Sequence, residues 1–207
     1  PDAVWEHSQA IMQKLMEKKG IEHKAVEGEA AFYGPKIDIM AIDALGREWQ
    51  ISTIQLDFVQ PSRFELEYTA DDGTKKTPVM IHRALVGSPD RFMGILTEHY
   101  AGAFPTWLSP VQVKILPVSE KHAEYGTELL AALKTAGIRA ELNDANESLG
   151  KKIRNGKTEK VPYLLVVGDA EVAASTVTVE SRDHGKQEAE PLETFIARIS
   201  QEIKART

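Results

Sequence analysis

The rhythm of apolar positions changes near the middle of this chain. Val4, Ile11, Leu15 and Lys18 recur at helical spacing, which predicts a helix over 3–19 with Gly20 as its stop. Alternating stretches follow. Ile21 to Val26 reads as a short strand. Lys36 to Ile42 and Arg47 to Phe58 read as paired strands around Asp43-Ala44-Leu45-Gly46. Phe64 to Thr69 and Thr77 to His82 read as a second hairpin around Asp71-Asp72-Gly73-Thr74, with His82 closing its strand. A helix comes next. Ser88 suits its N-cap, Pro89 its first position and Asp90 its dipole, and Phe92, Ile95, Leu96 and His99 keep helical spacing toward an end at Gly102 to Pro105.

Beyond Pro105-Thr106-Trp107-Leu108-Ser109-Pro110, strand and helix alternate. The pattern gives a strand over Val111 to Val118, a helix over Glu120 to Ala136 and a strand over Ile138 to Asn143. A basic segment from Lys151 to Lys160 precedes an apolar strand at Tyr163 to Val167, a polar hairpin around Asp183-His184-Gly185 and a last helix from Pro191 to Lys204. The expected fold class is α+β followed by α/β. An antiparallel sheet with helices occupies 1–106, and a mixed, helix-covered sheet occupies 107–207.

One strand carries an irregularity. Trp49 and Ile51 share one phase, and Ile54, Leu56 and Phe58 share the other. In a regular strand Gln50 and Gln55 face opposite sides, whereas a bulge between Ile51 and Ile54 brings both to one face.

Composition narrows the chemistry. The 207 residues contain no cysteine, which removes disulfides and thiolate metal sites and fits a reducing, cytoplasmic setting. The formal net charge of −6 means that any nucleic-acid surface must be a local basic patch. No apolar run approaches a membrane span, and the acidic, helix-like start is not a signal peptide. A chain that opens on Pro1 rather than Met is expected to be trimmed.

Several residues carry candidate chemistry. At the third helical position, the Arg91 guanidinium and the free N–H groups of the first turn converge on one spot suited to phosphate. The alternative is a surface arginine paired with Asp90 or Glu98. Tyr33-Gly34-Pro35-Lys36 forms a turn entering a strand, where Lys36 could reach an anionic oxygen or lie solvated. His82 is a candidate metal ligand or a hydrogen-bonded structural histidine; zinc usually takes at least three protein ligands, and the other histidines are scattered. Lys151, Lys152, Arg154, Lys157 and Lys160, preceded by Asn146 and Glu147, form either an RNA-backbone patch or a solvated basic helix.

Phe32-Tyr33-Gly34-Pro35-Lys36-Ile37-Asp38, Trp49-Gln50, Thr53-Ile54-Gln55-Leu56-Asp57-Phe58 and His82 to Phe92 closely resemble segments of the threonyl-tRNA synthetase family. So do Gly102 to Pro110 and Val161 to Asp169. The resemblance runs in order along nearly the whole chain. It implies part of a class II catalytic domain, including motif 3, followed by an anticodon-binding domain. The implied activity joins threonine to ATP, taken with Mg, and then to tRNA(Thr). By resemblance, Arg91 holds the ATP γ-phosphate, with Lys36 and Gln50 among the catalytic groups. Tyr33, Gln55 and Ser88 line the threonine and adenylate pocket, His82 is one of three protein zinc ligands, and Asn146, Arg154 and Glu171 lie on the anticodon side.

The resemblance also implies a homodimeric, cytoplasmic parent with no membrane association. Motif 1, motif 2, the remaining Cys and His zinc ligands and the editing domain are expected upstream of Pro1. The chain alone is therefore expected to be inactive and monomeric. Three positions depart from the family pattern: Asp90 for Glu, Ser52 for Gly, and Glu180 for an anticodon-reading Arg, which leaves Arg182 as the nearest substitute cation. Two other readings remain open. One is a non-catalytic, synthetase-derived tRNA-binding module. The other is a relative with the same kind of C-terminal domain, such as a prolyl-, glycyl- or histidyl-tRNA synthetase.

Overall fold

The structure, a computed structural model, describes residues 2–206. Its contacts divide the chain into two compact units, one up to Leu96 and one from Thr97 onward.

The first unit opens with α1 (Asp2–Lys18). The strand expected over Ile21 to Val26 does not form: the segment is irregular and exposed, with no neighbouring strand to take its backbone bonds. β1 (Lys36–Ile42) and β2 (Glu48–Asp57) pair antiparallel as the pattern predicts. Asp43 organises their turn. One carboxylate oxygen accepts the N–H groups of Leu45 and Arg47, each at 2.9 Å, and the other takes the Trp49 indole at 2.8 Å and the Arg47 guanidinium at 2.5 Å. The Trp49 bond heads the contacts that hold this carboxyl far below its ordinary pKa.

The second expected hairpin is corrected. A single turn, α2 (Gln60–Arg63), follows β2, and only the two-residue strands β3 (Tyr68–Thr69) and β4 (Lys75–Lys76) pair across the Asp72 turn. β5 (Met80–Ala84) instead pairs with β2, giving a three-stranded antiparallel sheet of order β1-β2-β5. His82 therefore lies in mid-strand rather than at its end. Ser52 stitches β5 to β2: its hydroxyl donates to the Ala84 carbonyl at 2.7 Å and accepts from Arg83. The helix after the elbow, α3 (Pro89–His99), stops before Gly102, where Ala101 and Gly102 turn to positive φ.

The second unit has a mixed five-stranded sheet of order β10-β9-β8-β6-β7. β6 (Val113–Pro117) runs parallel to both β7 (Ala140–Leu142) and β8 (Tyr163–Val167), and β9 (Thr176–Ser181) and β10 (Gly185–Pro191) complete it antiparallel. The helix expected over Glu120 to Ala136 is a 3₁₀ turn (Glu120–His122) leading into α4 (Ala123–Thr135). α7 (Leu192–Ala205) matches the pattern, the basic segment takes helical form as α5 (Leu149–Thr158), and α6 (Asp169–Ala174) has no counterpart in the sequence pattern. Strand alternation sends Val113, Ile115, Leu165, Val177 and Val179 to one face, under Leu129 and Leu133 of α4 and Phe195 and Ile199 of α7. Leu116 and Leu164 face the other way and pack with Leu149 and Ile153 of α5.

Among the described residues the buried hydrophobic core lies in this second unit, whereas of apolar side chains the first buries only prolines such as Pro61 and leaves Ile42, Ile81 and Met40 of its sheet exposed. No helix among the described residues is long and apolar enough to cross a membrane.

One glycine in the first unit is dictated by a close approach. A Cβ on Gly34 would stand 2.1 Å from the Leu56 carbonyl oxygen, where Pro35 and Tyr33 accept the N–H groups of Leu56 and Phe58 at 3.0 Å. The obstacle is backbone, which cannot rotate away. Gly34→Ala is expected to destabilise the first unit by about 3 kcal/mol, the upper end of overpacking costs. Urea unfolding followed through the Trp49 indole N–H resonance measures it.

Candidate functional site

The register of the three-stranded sheet aligns residues far apart in sequence. Lys36 lies opposite Gln55, and Gln55 lies opposite His82, forming one row across β1, β2 and β5. Tyr33, in the turn that enters β1, donates its hydroxyl to Gln55 Oε1 at 2.6 Å and sets its ring edge-on to His82, 6.0 Å between centroids. The register shifts so that Ile39 faces Ser52 but Met40 faces Gln50, leaving Ile51 as the extra residue of a bulge. The predicted phase slip is real, and it brings Gln50 to the face that carries Gln55. Asp38 ties this face together: it accepts from Gln50 Nε2 at 2.7 Å and forms an ion pair with Lys36. Thr53 lies opposite Asp38 and Ala84 in the same row system, and its buried hydroxyl has no hydrogen-bond partner.

His82 is fastened from below. Its Nε2 lies 2.9 Å from Oδ2 of Asp57, a side chain with no exposed surface. The other Asp57 oxygen accepts the N–H groups of Val59 and Gln60 at 2.8 and 2.9 Å, turning the chain out of β2 into α2. Burial pushes the Asp57 carboxyl upward, but the Gln60 N–H, the His82 ring and the Val59 N–H outweigh it and hold the group below its ordinary pKa. The sequence pattern does not single out Asp57. Its signal was an acidic residue in a strand otherwise apolar at Leu56 and Phe58, but its partner is 25 residues away.

The elbow before α3 starts beside the bulge. Gly87 has φ +61°, and a Cβ there would sit 3.4 Å from the Ile51 carbonyl oxygen. Ser88 accepts the Arg91 N–H on its hydroxyl at 3.4 Å, a long cap bond, and the Phe92 N–H on its carbonyl at 3.0 Å. Arg91 is exposed, and its guanidinium has no partner among the described residues, so the surface pairing with Asp90 or Glu98 is not made. For zinc the fit is partial. No three His, Cys, Asp or Glu side chains gather among the described residues, so His82 offers a single corner of such a site.

In the second unit most of the basic segment is already engaged. Lys152 is buried and donates to the Pro117 and Asn143 carbonyls at 3.0 and 3.2 Å. Lys151 pairs with Glu147, Lys157 pairs with Glu180, and Lys160 donates to the Ala101 carbonyl. Arg154, one turn before Lys157, is exposed and unpaired among the described residues, and Asn146 is exposed in the loop before α5.

Leu164, Glu180 and Lys186 share one row of the sheet on the α5 side, with Thr178 next to it. Glu171 reaches that face from α6. Its Oε1 accepts the Thr178 hydroxyl at 2.7 Å, and its Oε2 accepts the Gly168 N–H at 2.9 Å. Arg182 does not join them. It donates to the carbonyls of Phe104 and Lys160 at 2.8 and 3.3 Å and grips Asp183 with two nitrogens, so it clamps the chain rather than replacing a cation at position 180.

Comparisons with known proteins match both units. Residues 2–100 match the tRNA synthetase class II core domain (G, H, P, S and T), and residues 112–202 match the anticodon binding domain. A threonine–tRNA ligase of Carboxydothermus hydrogenoformans is 50% identical over 203 residues, covering 98% of this chain and 32% of that protein. The corresponding ligase of Acetivibrio thermocellus is 53% identical over the same share of each. The crystal structure of the RNA binding domain of threonyl-tRNA synthetase from Cryptosporidium parvum Iowa II superposes with a TM-score of 0.88 at 37% identity, over 97% of this chain and 51% of that one.

Core and anticodon-binding matches in this order define a class II aminoacyl-tRNA synthetase segment. The chain belongs to the threonyl-tRNA synthetase family, and it spans about a third of the length of the curated relatives it matches.

Glu171 gives the second unit a pH dependence. The Thr178 hydroxyl, followed by the Gly168 N–H, holds its carboxyl below the ordinary pKa against the effect of burial. A folded-state pKa below the unfolded one stabilises fully above the ordinary carboxylate range, and the contribution is lost as pH falls through the folded value. Glu171→Gln is expected to cost about 1–2 kcal/mol at neutral pH and to flatten this acid limb. Urea unfolding of both proteins across a pH series tests the sign.

Proposed function

We propose that this chain supplies the motif 3 side of the aminoacylation site and the anticodon-binding domain of an enzyme that joins threonine, ATP and tRNA(Thr). The single observation that carries the reading is the row Lys36–Gln55–His82, joined on one face by Gln50 through the bulge at Ile51 and by Tyr33 through Gln55. It supports a polar platform for threonine and the adenylate, with Ser88 at its rim and Arg91 at the positive end of α3 for the ATP γ-phosphate, Mg accompanying the nucleotide. His82 would hold zinc from one side. When bound, zinc would supply Lewis-acid recognition of small polar groups, and a complete shell would need ligands besides those of the described residues. Asn146, Arg154 and Glu171 would face the anticodon. The family's activity implies a cytoplasmic, homodimeric parent, and we take the boundary between the two functional parts to lie between residues 106 and 107, in the stretch between the two family matches.

Catalysis by oriented groups fails when half of them are missing. The chain alone is expected to give no threonine-dependent ATP–pyrophosphate exchange; exchange at enzyme-like rates would refute the division of the site. Joined to the remaining two-thirds of the Carboxydothermus hydrogenoformans relative, it is expected to support exchange, and Arg91→Ala is expected to lower that activity about 10²–10³-fold. A non-catalytic RNA-binding module would leave the joined protein inactive and insensitive to Arg91. That second reading is favoured by one observation, the neutralisation of Lys157 by Glu180 on the face assigned to RNA.

RNA binding has its own test. Arg154 and Lys186 are the unpaired cations on or beside the α5 face among the described residues. Binding of an anticodon stem-loop is therefore expected to fall with a log–log salt slope of about −2, and Glu180→Gln, by releasing Lys157, to steepen it by about one. Filter binding across a salt series measures both.

A further inference from the structure

We propose that Asp57 is the positioning residue for His82, holding the ring by Nε2–H so that Nδ1 is the nitrogen left to meet a ligand. The inference deepens the metal reading of His82 and takes its ligand from that reading.

The argument is one of hydrogen-bond roles. Asp57 Oδ1 accepts two backbone N–H groups, from Val59 and Gln60. Those bonds fix the carboxylate plane, and Oδ2 is left aimed at His82 Nε2, 2.9 Å away. An ionised carboxylate can only accept, so Nε2 must carry the ring proton. In the neutral ring Nδ1 then has a free lone pair, and it makes no hydrogen bond among the described residues. The Tyr33 ring, edge-on at 6.0 Å, closes one side of the imidazole. Asp57 is wholly buried and His82 keeps 35% of its side chain exposed, so the carboxylate works from beneath and touches neither solvent nor ligand. Carboxylates placed this way fix the tautomer and orientation of metal-bound histidines, and losing one typically costs 10–100-fold in metal affinity.

Substitution by Asn separates this role from simple turn capping. In Asp57→Asn the side-chain oxygen still accepts the Val59 and Gln60 N–H groups, so the turn survives. The amide nitrogen now faces Nε2 and can only donate, which drives the ring proton to Nδ1. Long-range 1H–15N correlation spectra of the ¹⁵N-labelled chain, at a pH where imidazole is neutral, read the tautomer directly. The wild type is expected to show His82 in the Nε2–H form and Asp57→Asn in the Nδ1–H form. Zinc titrated into the wild type is expected to move Nδ1, and Asp57→Asn is expected to need about 10–100-fold more zinc for the same response.

A wild-type His82 with Nδ1–H, or a folded Asp57→Asn protein that keeps Nε2–H, would overturn the inference. If the variant does not fold, the wild-type spectrum alone decides. The expected tautomer switch without any zinc response would uphold the positioning by Asp57 and count against the metal reading.

Discussion

A single unpaired residue in β2 governs the candidate chemistry. Side chains along a strand alternate with a period of two, so Gln50 and Gln55 belong on opposite faces until Ile51 bulges out of the ladder. The bulge has three effects. Gln50 comes round to Asp38, and Asp38 thereby joins Gln50 to Lys36. The Ile51 carbonyl comes against the elbow at Gly87, whose positive φ favours glycine. Ser52 turns its hydroxyl to β5 and bonds Ala84. A straight β2 would keep the strand and lose the platform, because Asp38 would have one partner instead of two.

How much of this could be read from residues alone depends on the distance over which each feature is decided. The β1–β2 hairpin was legible because Asp43 satisfies its own turn and because apolar positions alternate on both sides. The bulge was legible as a break in that alternation. The pairing of β5 was not, because the local turn at Asp72 competes for the same residues and only the long-range register with β2 decides the outcome. Ile21 to Val26 alternates like a strand but has no neighbour, and alternation without a partner leaves backbone groups to water. α6 leaves no mark in the sequence because six residues, less than two turns, are too few to carry a periodic signal; its cap is set by Glu171 and Gly168. Within the site, Lys36, Gln55 and His82 each stand out singly in the sequence. Their common row and the support of His82 by Asp57 exist only once three strands are in register.

Charge was the least transferable quantity. Counted along the chain, residues 151–160 form a basic run. Folded, Lys152 is inside, Lys151 and Lys157 face carboxylates, and Lys160 is drawn to a carbonyl. Arg154 is the cation of that run that still presents a whole charge to solvent. Glu180, mostly buried beside Lys157, makes this face of the domain more nearly neutral than its composition suggests. An RNA partner of such a face, as proposed above, would have to be held more by shape and by hydrogen bonding to unstacked bases than by attraction to phosphate.

The uneven distribution of buried apolar side chains has a consequence for how the chain comes apart. Cooperative opening begins where the least apolar surface is hidden. The three-stranded sheet holds its residues by turns, caps and ladders, while β6, β8 and β9 are sealed between helices. Backbone amides of β1, β2 and β5 therefore exchange with solvent ahead of those in the five-stranded sheet, and melting proceeds in stages. The three-stranded sheet with its polar row is the labile part of this polypeptide, and the five-stranded unit that matches the anticodon binding domain is its durable one.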